Sequence, residues 1–262
     1  MALPPGFPFT QTALRAYLEC PYRFRLRYLE GVPWSALPPE PGDEAALRRG
    51  QQFHELAREH FLGLEVAGQA AAAGDEMAAW WSALRDSPPD LGAYSECYPE
   101  AGLSVPVGPY RLAARYDLLA VSPEAALVVD WKTGQDLASR GRLAKDIQTR
   151  VYLYVLAEGG AAYHAGRPWA PQSLGLVYWH PRGPQQVRLG YSPARQAADG
   201  RYLSALVEEI AAGRPEDMRP TPNEGACGVC AYGPVCGKGA GRLLEWEGEE
   251  SAGRDDAEQA ME

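Results

Sequence analysis

The sequence lacks several features that would by themselves place it in a broad functional class. It has no apolar run approaching the roughly 20 residues needed to cross a bilayer. Its first residues, MALPPGFPFTQ, carry neither the basic start nor the apolar segment of an export signal. No G-x4-G-K-[ST] motif for nucleotide phosphates and no internal repeat is visible. We therefore expect a cytoplasmic protein without a membrane segment and without a helicase motor of its own.

Positive charge is also scarce, because the net charge is -9. Such a balance argues against a polyanionic partner. However, residues 245–262 carry eight acids against one arginine, a net of -7, which leaves only -2 for residues 1–244 (-9 minus -7). We expect this acidic tail to be disordered and residues 1–244 to form the folded domain. Binding of that domain to nucleic acid remains open.

Cysteine usage indicates a bound metal or cluster. Three of the five cysteines, Cys227, Cys230 and Cys236, lie in the segment ACGVCAYGPVCG with the spacing C-x2-C-x5-C, and Cys20 lies far upstream. Disulfides are not expected without an export signal. Four thiolates suit structural zinc or an iron-sulfur cluster, and the spacing does not separate the two. Free cysteines in a turn are the alternative.

Hydrophobic periodicity predicts a mixed α/β domain. Helices are expected from a Thr10 or Thr12 cap to about Cys20, from Pro21 to about Leu29, and over EAALRRGQQFHELAREHFLG. Residues 64–92 are predicted to be a helical insertion of unknown role. Strands follow in SVPVGPYRLAARYDLLAV and ALVVDWKTG, then a helix in AKDIQTRVYLYVLAEG, a strand in SLGLVYWH and a helix over 192–212.

Acidic and basic side chains mark the ends of two of these predicted strands. Asp117 ends one strand, and Asp130 and Lys132 share one face at the end of the next. Adjacent strands would bring the three together, and two close carboxylates are most simply reconciled by a shared Mg²⁺ or Mn²⁺. A lysine beside that metal can position a water for phosphodiester cleavage. A lone D-x-K also arises by chance, and a strand-end salt bridge would look the same.

The segment LRAYLECPYRFRLRYLEG interleaves arginines with aromatic residues. This mixture is typical of surfaces that bind phosphates and stacked bases. A helix with a solvated face and an aromatic core face explains it equally well.

Taken in order, these residues resemble the RecB-like branch of the PD-(D/E)XK nuclease superfamily, especially its iron-sulfur members. Those members include AddB-type helicase-nuclease subunits and CRISPR-adaptation exonucleases. The resemblance runs from Cys20 to Cys236. It rests on G-x3-H at Gly50 and His54, D-x-K-T-G at Asp130, Lys132, Thr133 and Gly134, Q-x3-Y at Gln148 and Tyr152, and the cysteines Cys20, Cys227, Cys230 and Cys236. The family's G-R-I-D-like strand is matched less well by ARYD, where Ala114 replaces a glycine.

The resemblance implies a restriction-endonuclease-like core, a mixed sheet flanked by helices, with a [4Fe-4S] cluster joining the N- and C-terminal segments. It implies that Mg²⁺ or Mn²⁺ is bound by Asp117, Asp130, His54 and the backbone carbonyl of Trp131. Lys132 would orient the attacking water. Gln148 and Tyr152 would support the lysine or a substrate phosphate.

The function implied is a metal-dependent DNA nuclease, exonuclease-like on single-stranded ends, in DNA repair, recombination or CRISPR adaptation. A helicase or another protein of those pathways is the expected partner. Two alternatives remain: a non-catalytic DNA-binding or scaffold subunit of a helicase-nuclease complex, and a zinc-stabilised interaction module.

Overall fold

A computed structural model describes residues 3–33, 41–134, 137–182, 185–227 and 230–237. The acidic tail predicted for 245–262 lies outside these residues. The described chain forms a sheet of six strands: β1 (Pro8–Thr10), β2 (Glu96–Val107), β3 (Tyr110–Val121), β4 (Ala126–Trp131), β5 (Leu174–His180) and β6 (Gln185–Gly190).

The α-helices of the described chain surround this sheet. They are α1 (Gln11–Glu19), α2 (Pro21–Phe24), α3 (Pro41–Phe61), α4 (Ala67–Ala72), α5 (Asp75–Asp86), α6 (Arg140–Leu143), α7 (Ile147–Gly159), α8 (Pro193–Ala212), α9 (Glu224–Cys227) and α10 (Gly233–Cys236). A π-helical turn over Arg25–Leu29 continues α2, and 3-10 turns occupy Gly160–Tyr163, Pro171–Ser173 and Pro215–Asp217.

The sheet is mixed. β2 pairs antiparallel with β3 over nearly its whole length. β1 runs parallel to β3 beside residues 111–113, and β4 runs antiparallel to β3 beside residues 118–121. β5 is parallel to β4, and β6 is antiparallel to β5. Since β2 occupies one edge of β3, β1 and β4 lie along the other edge with a gap between them.

Two hydrophobic layers cover the sheet. The first core lies under α1, α7 and α8, where Val151, Leu153 and Leu206 are buried. The second core lies under α3, α4 and α5 and contains Phe53 and Trp80. The helices α4 and α5 fall within the segment predicted to be an insertion, and their apolar side chains cover this second face. This α/β/α arrangement is the flanked mixed sheet expected from the sequence.

Side-chain caps explain where several of the helices begin. The Thr10 side chain accepts a hydrogen bond from Ala13 N and caps α1, as the sequence predicted. Asp146 caps α7 through Gln148 N, and Ser192 caps α8 through Arg195 N. Among the strands, the three-residue β1 and β6 were not predicted, and neither were the four-residue helices α6, α9 and α10. β1 is too short to show an alternating pattern.

The arginine-aromatic segment has the aromatic core face of its second interpretation, and nucleic-acid binding by this segment stays a prediction. Phe24 is fully buried in the first core, while Arg15 pairs with Asp146 at 2.6 Å and Arg25 with Glu30 at 2.5 Å. The aromatic side therefore faces the core, and these two arginines are engaged by carboxylates.

Candidate active site

The candidate site lies where β3 and β4 separate. The last backbone pair between these strands is Leu118 with Val129, so Asp117 and Asp130 follow directly on the two diverging ends. Asp117 Oδ2 accepts a hydrogen bond of 2.8 Å from Trp131 N, which ties β3 to the end of β4. Asp117 and Asp130 are therefore adjacent, but the prediction that Asp117 ends its strand is wrong, because β3 continues to Val121 and its pairing with β4 begins only at Leu118.

Alternation along β3 changes at the same place. Ala114 and Tyr116 belong to the first core, whereas Leu118 and Ala120 belong to the second. The even-numbered side chains of β3 therefore face the first core before Asp117 and the second core after it. Asp117 lies at the point where this alternation changes.

Asp130 and Lys132 face the first-core side, and Trp131 between them points into the second core. Asp130 is only 3% exposed, and Lys132 Nζ lies 2.6 Å from its Oδ2. That oxygen accepts no well-directed hydrogen bond in the described chain, although the separation is that of an ion pair. Asp130 is therefore a buried carboxylate with an unsatisfied oxygen beside a cation.

Gln148 links these two groups from the first turn of α7. Its Nε2 donates to Asp130 Oδ1 at 2.6 Å, and its Oε1 accepts from Lys132 Nζ at 2.9 Å. Tyr152 lies one turn further along α7, is buried, and packs edge-on against Tyr116 with ring centroids 5.1 Å apart. The Q-x3-Y pair is thus on one helix face, with the glutamine in direct contact with Asp130 and Lys132.

His54 approaches from the opposite layer on α3. Its Nδ1 lies 3.3 Å from Asp117 Oδ1. One turn earlier, Gly50 packs against the loop that follows β4, and a Cβ on residue 50 would lie only 2.7 Å from Thr133 Oγ1. The glycine of G-x3-H therefore allows the helix to approach D-x-K-T-G closely enough for His54 to reach Asp117.

Burial and neighbouring charges shift the pKa values of this group. Burial raises the pKa of Asp130 to about 6, and the charge of Asp117 adds to this, while Lys132 acts in the opposite direction. Burial works to lower the pKa of His54, but its hydrogen bond with Asp117 and the surrounding carboxylates leave that pKa above its usual value. Burial also raises the pKa of Tyr152 well above its usual value. The pocket therefore disfavours negative charge and would gain from a bound cation.

A cleft of about 650 Å³ opens beside these residues. Its walls are one side of α3, the end of the D-x-K-T-G loop and the β2–β3 hairpin. The lining residues are Ala46, Leu47, Gly50, Gln51, His54, Glu55, Arg58, Glu100, Arg115, Thr133 and Gly134. His54 and Thr133 thus connect the acidic cluster to an open groove.

The donor set suits a divalent cation. Asp117 and Asp130 carry hard oxygen donors and His54 carries an imidazole, while the ammonium of Lys132 already lies 2.6 Å from Asp130 Oδ2. Across the described ranges, however, no three His, Cys, Asp or Glu side chains are already grouped as metal ligands. Lys132 and the N–H of Trp131 each engage one aspartate oxygen, Asp130 Oδ2 and Asp117 Oδ2 respectively.

The N-terminal segment that contains Cys20 lies beside the C-terminal segment that contains the other three cysteines. Thr221 N donates to Cys20 Sγ at 3.5 Å, and Tyr232 Oη donates to the carbonyl of Val32 at 3.0 Å. The four thiols are the donor type that iron-sulfur clusters use. In the described part of the chain they are free and are not gathered into a cluster site, so the [4Fe-4S] prediction stays a prediction.

Two residues near the site were not found from the sequence. His180 ends β5, is fully buried, and its Nε2 lies 3.2 Å from the carbonyl of Gly134, so it supports the D-x-K-T-G loop. Its position at the end of the strand next to β4 is a signal that the sequence contained. Glu100 lies opposite Asp117 with a φ of 55°. No pattern in the sequence marked it.

None of the described helices combines the length and the apolarity required of a membrane span.

The chain is similar to a family of known proteins and to two solved structures. No curated protein matches the sequence. Among solved structures, the chain is similar to one named "Putative exonuclease" from Eubacterium rectale, at 8% identity and a TM-score of 0.54, covering 92% of this chain and 90% of the other. It also matches the protein SSO0001 at 16% identity and a TM-score of 0.40, covering 87% and 85% of the two chains. A model of the PD-(D/E)XK nuclease superfamily matches residues 8–237. The chain therefore belongs to the PD-(D/E)XK nuclease superfamily.

Proposed function

We propose that this protein is a deoxyribonuclease that uses Mg²⁺ or Mn²⁺ to hydrolyse phosphodiester bonds, acting as an exonuclease at single-stranded DNA ends. The observation that carries the proposal is the convergence of Asp117, Asp130 and Lys132 where β3 and β4 separate. The adjoining cleft supports it, because a polymer needs an open approach to the site. The superfamily supports the nuclease chemistry.

The residues would divide the work as follows. Asp117, Asp130, His54 and the backbone carbonyl of Trp131 would hold the cation, which supplies positive charge against the phosphate and lowers the pKa of a bound water. Lys132 would leave its ion pair with Asp130 and donate from Nζ to the attacking water or to a phosphate oxygen.

Gln148 and Tyr152 would act as supports. Gln148 holds both Asp130 and Lys132 by hydrogen bonds of 2.6 and 2.9 Å, so it would keep the lysine close when the ion pair opens. Tyr152 is buried beside this group, and its ring fixes the face of α7 that carries Gln148.

A cleavage assay tests the proposal. End-labelled single-stranded and double-stranded DNA is incubated with the wild type and Mn²⁺, Mg²⁺ or EDTA, and we expect degradation only with metal. Lys132→Ala should lose activity by at least about a hundredfold, the lower range for a general acid–base group. The matched control is Lys145→Ala, which removes an exposed lysine and should cleave normally. Full activity of Lys132→Ala would refute the assignment.

A non-catalytic DNA-binding role is favoured by one observation, the engagement of Asp130 Oδ2 by Lys132 in place of a formed ligand group. The same assay decides between the two functions. Under this alternative, the wild type binds single-stranded DNA and leaves it intact in every metal. The pathway, whether repair or CRISPR adaptation, and a helicase partner stay predictions.

We also propose that Cys20, Cys227, Cys230 and Cys236 hold a [4Fe-4S] cluster, with zinc as the alternative metal. The contacts of Thr221 with Cys20 and of Tyr232 with Val32 support this, because they place the two cysteine segments beside each other. Protein purified without oxygen should be brown and contain iron, whereas a zinc protein is colourless. Cys20→Ser should lose the metal and melt at a lower temperature. Cys97→Ser, which changes a cysteine packed against the second core, is the control and should keep it.

A further inference from the structure

One face of the β2–β3 hairpin is open. By alternation, the residues of this face lie on the same side of the sheet as the second core. The second core beneath α3 includes residues of β3 only from Leu118 onward, so the earlier part of the hairpin is left uncovered on this side. The members of this hairpin face are Gly102, Ser104 and Pro106 on β2, and Arg111, Ala113 and Arg115 on β3. All are exposed except Ala113, which is half-buried. On the opposite side of the same strands, Leu112 and Tyr116 are fully buried in the first core.

The hairpin face carries two arginines on a floor of small side chains. Arg111 donates from Nε to Ser104 Oγ and from Nη2 to the Ser104 carbonyl, both at 2.9 Å. Arg115 pairs through Nε with Glu100 Oε2 at 2.5 Å, and its side chain is 62% exposed. Each guanidinium is thus anchored through Nε, with other N–H groups able to meet a ligand. A guanidinium held in this way loses little freedom when it binds a phosphate.

The hairpin face continues directly from the candidate active site. Arg115 and Glu100 line the same cleft as His54, and Arg115 precedes Asp117 by two residues on β3. Arg111 lies four residues further along the strand, about 13 Å away at the rise of an extended chain. That distance corresponds to at most about four nucleotides, since a B-form strand rises 3.4 Å per nucleotide and an extended strand rises more.

We propose that the hairpin face is the track along which single-stranded DNA runs to or from the cleft. Arg115 binds a phosphate next to the cleaved bond, and Arg111 binds one up to about four nucleotides away. This inference rests on the proposed nuclease function and names the substrate path of the same site. The occupant is a polyanion because the exposed charges of this face are arginines, and it is a single strand because the face consists of the two strands of one hairpin and adjoins the cleft through Arg115. No aromatic residue stands among the six positions, so binding is to the backbone and independent of base sequence.

Binding of labelled oligothymidylates of 4, 8 and 12 nucleotides, measured by fluorescence anisotropy in EDTA, tests this path without cleavage. Arg115→Ala should weaken binding of all three lengths by about tenfold, the loss of one charge-assisted contact. Arg111→Ala should weaken the 8-mer and the 12-mer, which are long enough to reach both arginines, by about tenfold. Each variant should also reduce the slope of log affinity against log salt by about 0.7, the value for one phosphate on a single strand. Folding of the variants is checked by their melting temperatures.

The control is Arg201→Ala, which removes an exposed arginine from α8, on the other side of the sheet. It should leave both affinity and salt slope unchanged. Equal affinities of Arg111→Ala and the wild type for the 12-mer would overturn the track, and so would a loss confined to duplex DNA of the same length. If the wild type still cleaves DNA in either case, the nuclease proposal stands and only the path is wrong. A wild type that neither binds nor cleaves any oligonucleotide overturns both.

Discussion

Gly50 of α3 and Thr133 of the D-x-K-T-G loop lie so close that a Cβ on residue 50 would stand 2.7 Å from Thr133 Oγ1. Real Cβ atoms do not tolerate that distance, and the χ1 of a β-branched side chain is stiff. We expect Gly50→Ala to push α3 away from the loop and to separate His54 from Asp117. Cleavage by this variant should fall by about tenfold or more, since small misplacements of catalytic groups are costly.

A second substitution tests whether space is the cause. Thr133→Ala removes Oγ1 and leaves room for a methyl group at residue 50, so Gly50→Ala/Thr133→Ala should regain most of the activity of Thr133→Ala alone. The comparison is a double-mutant cycle of two contacting residues. Additive losses in the double variant would show that crowding at Thr133 is not the reason for the glycine.

Gln148 contacts both Asp130 and Lys132, and its replacement should act through them. Gln148→Ala removes a donor from a buried carboxylate and an acceptor from the lysine, and we expect kcat to fall by about ten- to a hundredfold. Gln148→Glu should be worse, because it keeps the acceptor but places a second negative charge against Asp130. Separate kcat and KM values check this. A rise in KM with unchanged kcat would instead indicate that Gln148 binds substrate.

Asp130 illustrates a conflict between stability and function. Its carboxylate is buried, and the pKa raised to about 6 means that the folded state disfavours its charge at neutral pH. Asp130→Asn removes that charge, and Lys132 keeps its hydrogen bond with Gln148. In EDTA at pH 8, we expect the variant to gain about 1 to 2 kcal/mol in the free energy of unfolding while losing all cleavage. Urea denaturation measures the gain.

A second buried aspartate provides the control. Asp199 is 1% exposed, and its Oδ1 lies 2.6 Å from Arg150 Nη1. Asp199→Asn leaves this arginine without its partner and should destabilise the protein, as breaking a buried pair does. If both substitutions lowered the free energy of unfolding, the buried charge of Asp130 would not be destabilising the folded protein.

The sequence predicted the elements that carry strong periodicity or caps, and the closeness of Asp117 on β3 to Asp130 on β4. It did so because alternation and strand order decide which side chains meet at one edge of a sheet. It could not predict the change of alternation at Asp117 or the closeness of Gly50 to Thr133. Both depend on how separate elements pack, and neither leaves a pattern within a single segment. The short β1 was missed for the same reason, since its hydrogen bonds come from a distant strand.

Glu100 shows what this packing can impose on one residue. It lies between Pro99 and Ala101, which pair with Leu118 and Tyr116, and its φ of 55° places it in the left-handed region opposite Asp117. That conformation costs a residue with a Cβ about 1 to 2 kcal/mol, and glycine avoids the cost. Residue 100 is nevertheless a glutamate, and its carboxylate pairs with Arg115.

We therefore expect the effects of substitutions at residue 100 on stability and on DNA binding to separate. Glu100→Gly and Glu100→Ala both remove the carboxylate, but only glycine relieves the backbone, so the glycine variant should be about 1 kcal/mol more stable than the alanine variant. Both should release Arg115 and weaken oligothymidylate binding to the same extent, because that loss depends on the missing carboxylate. Urea denaturation and anisotropy on the same preparations measure the two effects. Equal stabilities of the glycine and alanine variants would mean that the left-handed backbone at residue 100 is not strained. Wild-type affinity in both would mean that Glu100 does not position Arg115 for DNA.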